Sequence, residues 1–130
     1  MSNPQYTTGA VYKELQSIIQ AAGIEIEYTE IEEGILGKAK EHGKISMPND
    51  NRFDTDEYAV FVLGHELGHQ LIFDLYNDNE HNNSGNNIGL YNIIEAHCEV
   101  IGAAMLTLAE KIAMKKAESI FLRENRHDRD

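Results

Sequence analysis

Several residue types are scarce in this sequence: its 130 residues include one cysteine, two prolines and no tryptophan. The single cysteine, Cys98, cannot form a disulfide bond within the chain, which is typical of a reducing compartment. No run of about 18 apolar residues is present, so we expect no transmembrane helix. The segment Met1–Ala10 lacks the basic and apolar regions of a signal peptide. Together these absences predict a cytoplasmic protein.

Basic residues are also scarce, since 11 Lys and Arg residues stand against 22 Asp and Glu residues and leave a formal net charge of -11. A surface of this charge repels phosphate backbones, so we expect no direct binding to nucleic acid. It favours solubility and could attract a basic protein. The length fits one domain, and the hydrophobic share of 42% is enough for one modest core without disulfides or a structural metal.

Hydrophobic periodicity predicts an α+β domain that begins with a helix and a small sheet. Apolar residues at helical spacing indicate a helix over residues 8–22. Ile24–Tyr28 alternates apolar and acidic residues, as a half-buried strand does. Gly34–Lys40 and Lys44–Met47 fit two short strands joined by a turn, so we expect a short, mainly antiparallel sheet.

A central helix should follow the sheet. Asp54, with Glu57 three residues later, fits an N-cap, and the helix is expected from about Thr55 to about Leu75. Because it is apolar on nearly every side, it should be buried. The asparagine-rich segment Asn77–Asn92 is expected to be a long, mobile surface loop.

A second long helix is expected after this loop, because no proline interrupts Ile93–Leu122. At about 30 residues it would be about 45 Å long, whereas the whole domain should have a radius of gyration of about 14 Å. The helix must therefore break, protrude or pack on a partner. We assign residues 1–122 to one domain and residues 123–130 to a charged, flexible tail.

Residues 65–69 read His-Glu-Leu-Gly-His, an H-E-x-x-H motif. On a helix, His65 and His69 lie about 40° apart and one turn along, so both imidazoles can reach one zinc ion. Glu66 lies beside them, where it can take a proton from a water molecule at the metal. Because the motif interrupts an otherwise apolar helix, we prefer a zinc site to a pair of surface histidines.

A catalytic zinc ion requires a third protein ligand and a free position. Ile72 and Leu75 occupy the places where an extended motif would carry a Gly and then, six residues after His69, a His or Asp, so the second long helix is the remaining source. Glu95 and Glu99 share one face of it, whereas His97 lies about 200° from Glu95 and should point away. We assign Glu95 as the ligand and Glu99 as the hydrogen-bond partner of a zinc-bound histidine, with the reverse assignment left open.

Two small residues complete this interpretation of the second long helix. Gly102 continues the face of Glu95 and would let the two long helices approach closely. Cys98 is interpreted as a small buried residue and not as a ligand. No residue is assigned to stabilise an oxyanion.

With these residues in place, the chain resembles the ImmA/IrrE family of zinc metallopeptidases over roughly Val11 to Leu106. Glu95-Ala96 falls 26 residues after His69, where the family places its Glu ligand. Glu99-Val100 stands where the family usually has Phe-Ala. The lead-in to the motif also matches in order: a helix, an acidic strand, Gly34–Gly37, Gly43–Met47 and Asn51-Arg52-Phe53. The resemblance implies a small zincin-like domain with the Glu third ligand of gluzincins.

The resemblance also implies a function. Members of the family occur in bacteria and their mobile elements, where they cleave or antagonise DNA-binding repressors. It therefore implies one zinc ion per chain and a protein or peptide substrate, such as a repressor. One alternative is a non-catalytic zinc-binding module that antagonises a regulator, although such a module has no use for Glu66. Another is a phage or mobile-element accessory protein of the same fold.

Overall fold

The computed structural model describes residues 4–41, 43–72 and 88–125, which form three α-helices and one three-stranded sheet. The expected α+β class is therefore confirmed. A short 3-10 helix precedes the first α-helix, and the strands lie between the first and second α-helices. In chain order the elements are the 3-10 helix Gln5–Thr8, α1 Ala10–Ala21, β1 Glu25–Thr29, β2 Lys38–Glu41, β3 Lys44–Pro48, α2 Asp56–Ile72 and α3 Ile88–Asn125.

The sheet is mixed, which corrects the expectation of a mainly antiparallel sheet. Strand β3 lies in the centre, parallel to β1 and antiparallel to β2. The parallel pairing runs from Glu25 opposite Lys44 to Thr29 opposite Pro48. The alternating pattern of β1 predicts a strand but carries no information about its partner. Because β3 pairs with both other strands, β1 and β2 form the two edges of the sheet.

Helix α2 lies at the centre of the domain, as its apolar composition predicts. Its N-cap is Thr55 and not Asp54, because the Thr55 hydroxyl accepts a hydrogen bond of 3.1 Å from the backbone N–H of Tyr58. Eleven of its residues are buried, and its apolar side chains meet α1 and β3 in one core. The largest fully buried side chains of this core are Tyr12, Leu15, Ile19, Ile45, Met47, Leu63 and Val60.

Helix α3 is a single helix of 38 residues, about 57 Å long. It begins at Ile88, so residues 88–92 are helical and do not belong to the loop predicted over residues 77–92. Residues 77–87 lie outside the described residues. At the other end, residues 123–125 continue the helix that was expected to end at Leu122. The helix does not break, and its C-terminal part protrudes with exposed side chains such as Met114 and Phe121.

One stretch of α3, Asn92–Glu124, is long and apolar enough to cross a membrane, with a mean hydropathy of 1.2. Charged and polar residues interrupt it, so it contains no uninterrupted run of about 18 apolar residues. Mostly buried core helices of soluble proteins meet the same criterion, and 22% of this apolar window is buried. This helix packs against α2 through Ile94, Cys98 and Gly102, which are all buried.

Candidate metal centre

Helix α2 carries the two histidines on neighbouring turns of one face. The centres of the His65 and His69 rings are 5.1 Å apart, as expected for residues four apart on a helix. The side chain of His65 is 16% exposed and that of His69 is 8% exposed. The burial of α2 therefore holds both imidazoles at the edge of the core with one side open.

Helix α3 brings a carboxylate to these imidazoles. Nε2 of His65 lies 3.1 Å from Oε2 of Glu95, and Nε2 of His69 lies 3.3 Å from Oε1 of the same residue. One donor atom from each of the three residues lies within 4.8 Å of the others. Among the described residues, His65, His69 and Glu95 form the one group of this kind, and they could hold a metal ion.

The donor set fits a zinc ion. Bonds of about 2.0–2.1 Å in a tetrahedral site separate neighbouring ligand atoms by about 3.3 Å. The separations of 3.1 and 3.3 Å, each from one Nε2 to a different oxygen of Glu95, are compatible with this value. A zinc ion held by two imidazoles and one carboxylate would have a fourth position open.

Three glycines allow α3 to approach α2 closely enough to deliver Glu95. A Cβ atom at Gly102 would lie 3.0 Å from the carbonyl oxygen of Phe61 and 3.1 Å from the backbone nitrogen of His65. A Cβ atom at Gly64 would lie 3.0 Å from backbone atoms of Gly102, and one at Gly68 would lie 3.1 Å from Cα of Cys98. The close approach expected from Gly102 is confirmed, and glycines on α2 share it.

Glu66 is buried beside the three residues, with 8% of its surface exposed. Burial raises the pKa of Glu66 to about 7, and the negative charge of Glu95 adds to the rise. His69 and a hydrogen bond from the backbone of Ala39 in β2 lower the same pKa. A carboxyl group that titrates near neutral pH suits a general base, and a cation held by its neighbours would lower the pKa further.

A cleft of about 460 Å³ opens onto these residues. Gly37 brings one wall against Glu66, since a Cβ atom at this position would lie 3.1 Å from Cγ of Glu66 and 3.2 Å from Sδ of Met47. The cleft is lined by Gly34, Ile35, Leu36, Gly37, Tyr58, Phe61, Val62, His65, Glu66, Glu95 and Glu99. The arrangement therefore places a metal-binding group, a buried carboxyl and a substrate-sized space together.

Arg52 holds the wall of the cleft, a role that the sequence did not reveal. Its guanidinium donates hydrogen bonds to the backbone carbonyls of Ile31, Glu32 and Ile35 at 2.6, 2.9 and 2.5 Å. It also forms a two-pronged pair with Asp50, at 2.8 Å for each bond. The segment before β2 is therefore fixed by one side chain. Carbonyl acceptors carry no side-chain signal, so only the sequence Asn-Arg-Phe could have pointed to this residue.

Gln70 ties the motif helix to the β2–β3 turn. Its amide donates to the carbonyl of Lys44 at 2.9 Å, and its Oε1 accepts from the backbone N–H of Gly43 at 2.6 Å. The side chain is buried. The sequence offered one signal for this role, namely a polar residue directly after His69 in a helix that is otherwise apolar.

The other candidates from the sequence lie around this centre. Glu99 lines the cleft but is exposed, and it is not in the group that could hold a metal. Its assignment as a hydrogen-bond partner stays a prediction. Cys98 is fully buried against Gly68, as expected for a packing residue.

No family model, no curated protein and no solved structure matches this chain. The residues and their geometry are therefore the basis for any functional conclusion.

Proposed function

We propose that the protein is a zinc-dependent peptidase, in which His65, His69 and Glu95 hold the metal and Glu66 is the catalytic base. The observation that carries the proposal is the position of Glu66. It lines the same cleft as His65 and Glu95, yet it is buried with a raised pKa. A site that only stabilised the fold would gain nothing from an ionisable group buried at this place.

Each residue has a separate part in the proposed reaction. A zinc ion, when bound, supplies Lewis acidity that polarises a peptide carbonyl and acidifies water. Glu66 takes a proton from the attacking water on its carboxylate, as the water oxygen bonds to the carbonyl carbon. It then passes this proton to the leaving amine, as the C–N bond breaks. The backbone of Ala39, hydrogen-bonded to Glu66, orients the carboxylate between these two transfers.

The proposed fold family is the zincin-like ImmA/IrrE family, and the proposed substrate is a specific cytoplasmic regulatory protein such as a DNA-binding repressor of a bacterium or phage. The support is the order of sequence features around residues 65–69 and Glu95. The net charge of -11 would attract a basic DNA-binding protein. Apolar walls from Ile35, Leu36 and Phe61 suit a peptide side chain next to the scissile bond.

The test compares two Glu-to-Gln variants on helix α2. Glu66→Gln should bind about one equivalent of zinc, as the wild type does, but should not cleave a candidate repressor, since only proton transfer is lost. Glu57→Gln, which changes an exposed acid on the same helix, should cleave normally. Metal analysis and electrophoresis of the substrate give the two readouts.

Two outcomes would contradict the proposal. Absence of zinc from the wild-type protein, even after zinc is added, would remove the metal site. If Glu66→Gln still antagonised the regulator as well as the wild type, the protein would be a non-catalytic zinc-binding module.

A further inference from the structure

The outward face of α3 carries an exposed seam with the spacing of a coiled coil. We define the outer seam as Ile93, Ala96, Val100, Ala103, Thr107, Glu110, Met114, Ala117 and Phe121, which follow one another at alternating intervals of three and four residues. All nine are exposed. The seam covers four heptads, about 42 Å of helix, and lies about half a turn away from the residues that pack on α2.

The large side chains of the seam are among the most exposed apolar groups of the chain. Ile93 is 57% exposed, Val100 67%, Met114 70% and Phe121 62%. Isolated apolar residues on a surface are ordinary, but large apolar residues that recur along one helix face are typical of an interaction site. A repeat of 3.5 residues along a helix indicates that the partner surface is another helix.

We propose that the outer seam binds the outer seam of a second copy of this chain, with the two α3 helices antiparallel. In one register, Thr107 faces Glu110 of the other copy. Val100 then faces the partner's Ala117, and Met114 faces the partner's Ala103. In these layers each large side chain meets an alanine, and the two polar residues of the seam meet each other. The outermost layers pair Phe121 with the partner's Ala96 and Ile93 with the partner's Glu124, beyond the seam.

The parallel alternative is much less favourable. It sets Glu110 against the same residue of the other copy, which brings two like charges together. It also sets each alanine against an alanine and leaves gaps between layers of large residues. Antiparallel helices also align their dipoles favourably.

A lipid surface fits the same face less well. Thr107 and Glu110 lie in the middle of the seam, and a carboxylate in the centre of a buried strip is costly in a bilayer. The hydroxyl of Thr107 donates to the carbonyl of Ala103 in the single chain at 3.1 Å, and in the helix pair it would turn to donate to this carboxylate.

The size of the outer seam sets the expected strength of dimerisation. A strip about 42 Å long and about 10–12 Å wide amounts to roughly 450 Å² on each copy and about 900 Å² for the pair. This area lies near the lower limit for specific interfaces, about 1,000–1,200 Å² in total. We therefore expect a reversible dimer with a dissociation constant in the micromolar range.

The first test is sedimentation of the full chain over roughly 1–200 µM. The wild type should pass from monomer to dimer. Val100→Glu and Met114→Lys should each raise the dissociation constant by about 100-fold or more, because the interface would bury an unpaired charge twice. Both residues are exposed in the single chain, so the helix content and unfolding temperature of dilute samples should not change. Leu108→Glu adds a charge between these two positions along the helix but on another face of α3, and it should leave the dimer intact.

The second test fixes the direction of the helices. Under mild oxidation, the double variant Val100→Cys with Ala117→Cys should form a disulfide-linked dimer. Val100→Cys alone should not, because in the antiparallel register this residue lies about 25 Å from its own counterpart. Cys98 is buried and present in both variants, so any cross-linking through it is a background common to both samples.

Each of the opposite results would overturn the proposal. A wild type that remains monomeric at the highest concentration would do so, as would a dimer that is insensitive to Val100→Glu. Cross-linking of the single variant would show parallel helices. A monomer that binds anionic phosphatidylserine vesicles through Val100 and Met114 would assign the seam to a membrane instead.

Discussion

Both halves of α3 contain large apolar residues, but their surroundings differ. In the first half, Ile94, Cys98, Gly102 and Ala109 are buried, and glycines bring the backbone against α2. In the second half, none of residues 110–124 is buried, and the contact with α1 includes the ion pair between Lys116 and Glu14. The presence of apolar side chains alone therefore does not decide which part of a helix is packed. Close approach of backbones does, and it occurs where Glu95 has to reach the two histidines.

The largest effect is expected where the first half of α3 meets the histidines. Glu95→Ala should reduce zinc affinity by more than about 100-fold, since it removes one of three ligands. Glu99→Ala, the matched change one turn further, should reduce it by about 10–100-fold if Glu99 orients a zinc-bound histidine. Competition with a chelator of known affinity measures both. A greater loss for Glu99→Ala would reverse the two assignments.

The next largest effect is expected at the close contact between helices α2 and α3. Gly102→Ala should lower the free energy of unfolding by about 1–3 kcal/mol and weaken zinc binding, because the new methyl group meets the backbone of Phe61 and His65. Gly89→Ala is the control, since Gly89 is exposed in the first turn of the same helix and alanine should be neutral or stabilising there. Chemical denaturation gives the comparison. Equal effects at both positions would mean that the helices are not in close contact.

Part of the candidate site could be predicted from the sequence alone. The angles of an ideal helix were enough to bring His65, Glu66 and His69 together, and they placed Glu95 and Glu99 on one face of α3. They could not choose between the two acids, because that choice depends on the relative height of two helices. The structure brings Glu95, and not Glu99, to the histidines.

The sheet order and the cleft wall could not be predicted for a related reason. Both depend on contacts between residues that are distant in the chain. Arg52 binds carbonyl groups 17 to 21 residues away, and backbone acceptors leave no pattern in the sequence. The extent of α3 was underestimated because its first turn contains Gly89 and Asn92, residues that usually favour loops.

A smaller effect is expected at the wall of the cleft. Arg52→Lys keeps the charge but cannot reproduce three carbonyl contacts and the paired bonds to Asp50. The free energy of unfolding should fall by about 1–2 kcal/mol, and KM for a peptide substrate should rise more than kcat falls, because the residue positions the wall and does not touch the reacting atoms. Arg123→Lys, on the exposed end of α3, is the control and should change neither. A normal KM for Arg52→Lys would show that the wall does not contact the substrate.

The smallest effect is expected in the second half of α3. Leu122 is 55% exposed, so Leu122→Ala should change the free energy of unfolding by less than about 0.5 kcal/mol. The same substitution at Leu63, which is fully buried in α2, should cost about 2–5 kcal/mol, because it removes apolar contacts and leaves a cavity. Both values come from denaturation at a concentration low enough to exclude association. A loss of more than about 1 kcal/mol at Leu122 would mean that this half of the helix packs against the rest of the same chain in solution. The contrast between the two halves would then fail, and the outer seam would lose its support as a binding surface for a second copy.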